Sequence, residues 1–415
     1  MRENLHPHAS QKRLGALIIG AAVVIFSIIF LVIEAPAQKR KAFRIVKTSI
    51  PVGYKASIAA SDEIIVFGTG FNTGIEYIRP GDKTSRKIPN GDTYSSKFFA
   101  VAGTKIIMAR PSDFTIAVFD TATGNLKEIP ESTLRLRSIG GSMHMGGSIQ
   151  SSGNYAVVIT DTSGDDNSAL KVIDISGDDP KVIRFEGSGP DNNSRLIFRQ
   201  AAIDSKSGLV AGGGGDYAIW LFDYKNPSKA PASIDLKPYK GLGRAQMRFD
   251  GGKILFHTNE SYARAGIIDA VTGKITELSR ASYGLALRNG TYIYFASRDS
   301  KDSHSIVGRA AVGKAGGQPR FATGQRPVGR SKNNGLIGFG ASAAVTPDGR
   351  IFIGGMEDIG RTERFQTYRA GRYSLYPDRS TNPRFLMATD LVASSKLLAF
   401  KVGTNNKTTL GYAQL

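Results

Sequence analysis

A strand that ends in aspartate, a turn, and a second strand recur along this chain at nearly constant spacing. The clearest copy is Ile116-Ala117-Val118-Phe119-Asp120-Thr121-Ala122-Thr123-Gly124-Asn125-Leu126-Lys127-Glu128-Ile129. It returns around Val172-Ile173-Asp174, Leu221-Phe222-Asp223 and Ile267-Ile268-Asp269, and these aspartates lie 54, 49 and 46 residues apart. A period of that length is too long for one helix or one hairpin. It marks a supersecondary unit that buries its apolar faces only against neighbouring copies of itself.

Two further strand-like runs precede each copy, as at Lys97 to Ala102 and Lys105 to Arg110, or Ser148 to Ser151 and Tyr155 to Thr160. Past residue 50 no stretch keeps helical periodicity for three turns, while short apolar runs bounded by Gly, Asp, Asn and Pro recur throughout. Four strands per period predict the blades of an all-β propeller. Extending the phase puts innermost strands near Lys55, Lys97, Gly147, Arg199, Ala245, Tyr283, Phe339 and Thr389. That is an eight-bladed β-propeller, with a seven-bladed ring as the alternative. Thr346-Pro347-Asp348-Gly349-Arg350 reads as the first hairpin turn of the seventh blade, with glycine taking positive φ. The last period supplies only Leu391 to Ser394, Lys396 to Val402 and Thr409 to Gln414, so residues 43–50 are expected to complete its sheet. Joining the two ends in one blade removes open sheet edges.

Ahead of that strand, a tail over residues 1–13 is followed by 20 uncharged residues from Leu14 to Ile33, and a basic linker spans 34–42. At about 1.5 Å per residue the apolar run matches a hydrocarbon core of about 30 Å. It reads as one N-terminal transmembrane helix, retained as an anchor. Ala35-Pro36-Ala37 resembles a signal cleavage site, which leaves a cleaved leader as the alternative. A short basic tail before one span and a large domain after it predict a single-pass protein whose propeller lies on the extracytoplasmic, periplasmic side. In the opposite orientation the propeller lies in the cytosol, with its basic flank against anionic lipid.

The formal net charge of +19 is unevenly spread. Residues 1–50 carry 8 Lys and Arg against 2 Asp and Glu, residues 51–279 carry 26 against 25, and residues 280–415 carry 20 against 8. The excess therefore marks the membrane flank and one basic sector of the globular part, and nucleic acid is not the expected partner.

The chain has no cysteine and five histidines, which removes disulfides, thiolate chemistry and cysteine-ligated metals. Met143-His144-Met145 offers soft copper ligands but reads as a glycine-flanked connector. The Asp161 to Asn167 run lacks the ligand order of a calcium loop, and Gly212 to Gly215 lacks the helix and lysine of a phosphate loop. Asp120, Asp174, Asp223 and Asp269 are expected to form turns by bonding nearby backbone amides. No catalytic, cofactor or metal residue is assigned, and no cofactor is expected. Arg361, Arg364, Phe365, Tyr368, Arg369, Arg372, Tyr373, Tyr376, Arg379 and Arg384 combine arginine with aromatics, the composition of interface hot spots. The competing reading of this stretch is a hairpin whose aromatics pack between blades.

The strand–Asp–turn–Gly–strand repeat resembles that of WD-repeat-like and quinoprotein-like bacterial propellers over about residues 43–415. The single tryptophan, Trp220, departs from tryptophan-docked blades, and no Gly-His or Trp-Asp signature is present. An eight-bladed outer-membrane assembly lipoprotein is similar in outline, but its lipid-bearing cysteine has no counterpart. The resemblance implies fold and leaves function open. The expected function is a non-catalytic, membrane-anchored scaffold binding other protein subunits of a membrane or envelope complex. One alternative is an enzyme or small-anion-binding protein using the central channel, where Arg199, Arg248 and Arg288 stand near blade starts. Another is an envelope assembly factor that binds client proteins.

Overall fold

The computed structural model describes residues 45–53, 56–113, 115–129, 149–161, 168–183, 185, 198–214, 218–237, 246–257, 264–297, 308–314, 320–321, 342–354, 364–369, 372–377, 388–404 and 407–415. The tail, the Leu14 to Ile33 segment and the basic linker lie outside these residues. Among the described residues no helix is long and apolar enough to cross a membrane.

Strand β1 (Ile45–Val52) precedes a first meander of β2 (Ile58–Ala60), β3 (Ile65–Gly68), β4 (Ile75–Ile78) and β5 (Arg86–Lys87). The second sheet holds β6 (Phe99–Ala102), β7 (Lys105–Ala109), β8 (Ile116–Asp120) and β9 (Leu126–Glu128). The third holds β10 (Ile149–Ser152), β11 (Tyr155–Asp161), β12 (Ser168–Asp174) and β13 (Lys181–Ile183). The fourth holds β14 (Phe198–Asp204), β15 (Leu209–Gly214), β16 (Ala218–Asp223) and β17 (Ala232–Asp235). A seven-stranded sheet then runs β18 (Gln246–Asp250), β19 (Lys253–His257), β20 (Arg264–Asp269), β21 (Ile275–Arg288), β22 (Thr291–Ser297), β23 (Gly308–Lys314) and β24 (Arg320–Phe321). After it come β25 (Ser342–Val345), β26 (Ile351–Gly354), β27 (Arg364–Arg369) and β28 (Arg372–Pro377). Finally β29 (Ala388–Ala393), β30 (Leu397–Thr404) and β31 (Lys407–Gln414) form a sheet whose outer strand is β1.

All these pairings are antiparallel, and each first strand touches the first strand of the next meander. The contacts run from β2 to β6, β10, β14, β18, β21, β25 and β29, and from β29 back to β2. Four-stranded meanders in cyclic contact through their first strands are a β-propeller. The sheet that makes the return contact is completed by β1, which lies along β31 with Ile45 opposite Ala413 and Val52 opposite Thr408. Thr48 Oγ1 donates to Leu410 O at 2.8 Å across that pair.

The seven-stranded sheet departs from the repeat. Arg280 at the middle of β21 pairs with Arg264 of β20, and the next residue, Ala281, pairs with Ala296 of β22. One continuous strand therefore serves as the last strand of one meander and the first of the next. Where the spacing places an innermost strand near Tyr283, the strand already runs from Ile275.

Sheets sandwiched on both faces require apolar residues at successive positions. In β8, Ile116 and Val118 join the core shared with the third sheet, while Ala117 and Phe119 join the core shared with the first. Burial of Ile116, Val118 and Phe119 contributes about 1.5–3 kcal/mol each. Close packing also explains glycines inside strands. Gly266, Gly313 and Gly411 stand directly opposite Phe256, Tyr292 and Phe400 on the neighbouring strand. A Cβ at Gly266 would come within 2.6 Å of the Phe256 ring, and Gly313 and Gly411 are covered in the same way by their aromatic partners.

In an antiparallel meander the turns between strands one and two and between strands three and four fall on the same side. On that side side chains tie successive sheets together. Lys396 N donates to Asp62 Oδ1 at 3.0 Å, Ser61 Oγ to Gly103 O at 2.7 Å, and Lys105 Nζ to Ile175 O at 2.7 Å. Ser205 N donates to Ser152 Oγ at 3.0 Å and Gly252 N to Asp204 Oδ2 at 2.8 Å. Asn289 completes this run, its backbone N–H donating to Asp250 and its side-chain amide to Pro347 O. Burial opposes ionisation of Asp204, yet donation from Gly252 N, Ser207, Lys206 N and Gly251 N outweighs it and holds the pKa below the ordinary carboxylate value.

Two outcomes follow from this packing. Gly266→Ala is expected to lower stability by about 1–3 kcal/mol through overpacking, read by urea denaturation, with part of the loss recovered when Phe256→Leu is added. Asp204→Ala is expected to cost about 2–4 kcal/mol at neutral pH. Because the folded pKa of Asp204 is depressed, its contribution is present above the unfolded carboxylate pKa near 4 and is lost as the pH falls through the folded value. Denaturation midpoints measured from pH 7 downward should therefore fall less steeply for Asp204→Ala than for the parent chain.

Candidate functional site

The four repeat aspartates are spent on their turns. Asp120 Oδ1 accepts from Ala122 N at 2.9 Å, Asp174 Oδ1 from Ser176 N at 2.9 Å, and Asp223 Oδ1 from Lys225 N and Asn226 N at 3.1 Å. Asp269 Oδ1 accepts from Val271 N and Thr272 N at 3.0 Å. The Lys253 ammonium, and then the Thr272 N–H, hold the Asp269 carboxyl down to about 2. Gly124 and Gly273, each four residues after the aspartate, take φ of 77° and 68° and donate back to the aspartate carbonyls at 2.8 Å. The Asp-to-Gly spacing is thus a turn device, and these carboxylates carry no site.

The other sequence candidates fall apart in space or lie outside the described residues. Gly212 to Gly214 belong to β15, where Gly212 packs against Phe198 and Leu170, and Gly215 lies beyond. Met143-His144-Met145 and residues 162–167 lie outside the described residues. Among the described residues, no group of three or more His, Asp or Glu side chains is placed to hold a metal ion.

The Arg/Tyr stretch is partly described. Arg364, Phe365, Tyr368 and Arg369 are on β27 and Arg372, Tyr373 and Tyr376 on β28, whereas Arg361, Arg379 and Arg384 lie outside the described residues. Phe365 is opposite Tyr376, Tyr368 opposite Tyr373 and Arg369 opposite Arg372. The hairpin spreads these positions over about 17 Å of strand. Its Arg369–Arg372 end lies on the side of the inter-sheet ties, and its Arg364–Pro377 end on the other.

The three arginines read near blade starts fall on three different strands, β14, β18 and β21. Arg199 is the extra residue of a bulge in β14, between Phe198 and Gln200. Arg288 ends β21, with its guanidinium 3.7 Å from Asp250, whose side chain is 3% exposed. Arg248 lies inside β18, half-buried, and its Nη1 donates to Met247 O at 2.9 Å. Burial lowers the pKa of Arg248 from its ordinary value. Beside Arg199, Gln200 is 1% exposed, and among the described residues neither its carboxamide oxygen nor its nitrogen has a hydrogen-bond partner. Nothing in the repeat pattern singles out Gln200, because an isolated glutamine in a strand carries no spacing signal.

No protein-family model matches the chain, and no curated protein matches its sequence. Among solved structures the chain is similar to the WD40 repeats of RRP9, at 12% identity and a TM-score of 0.49, covering 87% of this chain and 99% of that one. It is similar to BamB from Moraxella catarrhalis at 13% identity and a TM-score of 0.47, covering 90% and 98%. The β-propeller domain of the Trilobed protease from Pyrococcus furiosus aligns at 10% identity and a TM-score of 0.45, covering 89% and 94%. At these identities the likeness concerns fold alone, and with TM-scores below 0.5 the sheet topology, rather than the likeness, carries the assignment to a β-propeller.

Proposed function

We propose that the chain is a non-catalytic, membrane-anchored propeller of eight blades that serves as a scaffold subunit of a membrane or envelope complex. The count takes the seven-stranded sheet as two blades sharing β21, added to the six four-stranded sheets. The observation that carries the reading is the place of β1. It follows the apolar segment by 11 residues and is the outer strand of the last sheet. A span from Leu14 to Ile33 is then joined covalently to the blade that closes the ring, and pull on the anchor is taken up by a hydrogen-bonded strand pair. The propeller lies on the extracytoplasmic side in this reading, periplasmic in a bacterial envelope.

A ring whose successive sheets are tied by side chains suits a scaffold, because loops held on a rigid frame lose little freedom on binding. The β27–β28 hairpin, with Arg361, Arg379 and Arg384 flanking it in sequence, supplies the arginine and tyrosine of a protein-contact surface.

Two measurements test the reading together. The chain is expected to stay in the membrane pellet after alkaline carbonate washing, and cross-linking in native membranes is expected to join it to other proteins. Arg364→Glu combined with Arg369→Glu and Arg372→Glu is expected to reduce recovery of those proteins about tenfold or more, with the thermal midpoint unchanged. Release by carbonate, or isolation of the chain alone at every detergent strength, would overturn the proposal.

A further inference from the structure

We propose that the ring docks on an anionic lipid surface through the side that carries the inter-sheet ties, with basic turns from the fourth sheet to the last as the contact and Val271 as an apolar tip. This docking rests on the anchor of the proposed function. Strand β1 begins on that side, because Ile45 pairs with Ala413, two residues before Leu415, whose N–H donates to Lys396 O at 2.8 Å. The 11 residues between Ile33 and Ile45 reach at most about 40 Å. An anchor in the bilayer therefore brings this side of the ring, rather than the opposite one, to the headgroups.

Four exposed lysines mark the turns of this side. Lys225 follows Tyr224, whose N–H donates to Gly208 O at 3.2 Å, and Lys274 follows Gly273 in the Asp269 turn. Lys314 is opposite Thr291, beside the Asn289 turn, and Lys396 stands between β29 and β30. Among the described residues no carboxylate pairs with any of the four, whereas Lys206, Arg288 and Arg350 on the same side stand beside Asp250 or Asp348. After residue 280, the one carboxylate described at these turns is Asp348, 2.8 Å from Arg350. The turns of the first three sheets differ, carrying Asp62, Asp82, Asp178 and Asp179 beside Lys83 and Lys105. The unmatched positive charge thus runs from the fourth sheet round to the sheet that β1 enters. Each such lysine near an anionic surface strengthens attachment about fivefold.

Val271 is the independent observation. Its side chain is 84% exposed, in a turn where Asp269 holds the Val271 and Thr272 N–H groups and Ala270 N donates to Gly252 O at 2.9 Å. The same position, two after the repeat aspartate, is Ala122, Ser176 and Lys225 in the other three copies. A fixed turn that holds a valine out in water, with Lys274 three residues along, joins the two elements of interfacial binding, apolar insertion and attraction to headgroup phosphates. Phe71, the other exposed large apolar side chain among the described residues, stands between β3 and β4 on the opposite side, with the Lys97 ammonium 4.8 Å from its ring centre.

The chain has no cysteine, so one dye can be placed at one position. Val271→Cys on this side and Ser112→Cys in the exposed β7–β8 turn on the other each carry an environment-sensitive nitrobenzoxadiazole. The full-length chain is reconstituted into phosphatidylcholine vesicles with or without phosphatidylglycerol. Flotation with phosphatidylcholine alone reads the anchor, and the dye response to phosphatidylglycerol reads the docking side. The dye at 271 is expected to brighten about twofold or more with phosphatidylglycerol, and the dye at 112 to stay unchanged. Lys225→Gln combined with Lys274→Gln and Lys314→Gln is expected to cut the response about tenfold or more, with the thermal midpoint unchanged. About 0.5 M sodium chloride is expected to remove it, since the screening length there is below about 5 Å. A dye at 271 that ignores phosphatidylglycerol overturns the proposal and leaves this side to an acidic protein partner. An equal response at 112, or a full response in the triple lysine variant, overturns it as well. A chain that fails to float with phosphatidylcholine, yet brightens at 271 with phosphatidylglycerol, refutes the anchor and supports the docking side.

Discussion

The ladder between β1 and β31 is the contact on which the ring depends. It brings residues 45–52 against residues 408–413, more than three hundred positions away in the chain, and it supplies the fourth strand of the last sheet. Without it the last meander keeps an open edge, and the apolar cluster of Ile50, Val52, Ile58, Ile65, Phe67, Ile78, Leu397, Ala399, Leu410 and Tyr412 loses the two side chains that β1 contributes. That cluster spans the last sheet and the first. Loss of strand pairing and loss of burial therefore act on the same seam.

Around the rest of the ring, apolar cores and polar ties divide the work. The cores sit between facing sheets, and aromatic rings over strand glycines let neighbouring strands approach without a gap or a clash. The ties sit at the turns, where Asp62, Asp204 and Asp250 accept bonds from the adjoining sheet. Apolar packing is non-directional and fixes little about angle. Hydrogen bonds from a carboxylate to particular backbone amides do fix it, and the combination keeps loops on a rigid frame.

The repeated aspartates that first draw the eye serve their turns. Those carboxylates are committed to their own turns. Among the described residues, the buried polar atoms without a hydrogen-bond partner include the Gln200 carboxamide on β14 and the Tyr94 and Tyr224 hydroxyls.

The amino-acid sequence by itself determined the strand repeat, the turn role of the four aspartates, the Thr346 to Arg350 hairpin and the strand that the last sheet lacks. These are readable because alternation, turn chemistry and period act over a few neighbouring residues. Thr346 N bonded to Arg350 O at 2.9 Å, with Gly349 at φ 81°, is that local code in space. Tertiary structure alone decided that β21 runs unbroken between two meanders, and that Gly266, Gly313 and Gly411 are seats for aromatic rings rather than turn residues. It also decided that Arg288 and Lys206 both arrive beside Asp250. Each of these depends on which distant residue arrives opposite, and register across a ring is set by the packing of all its sheets at once, which no local pattern encodes.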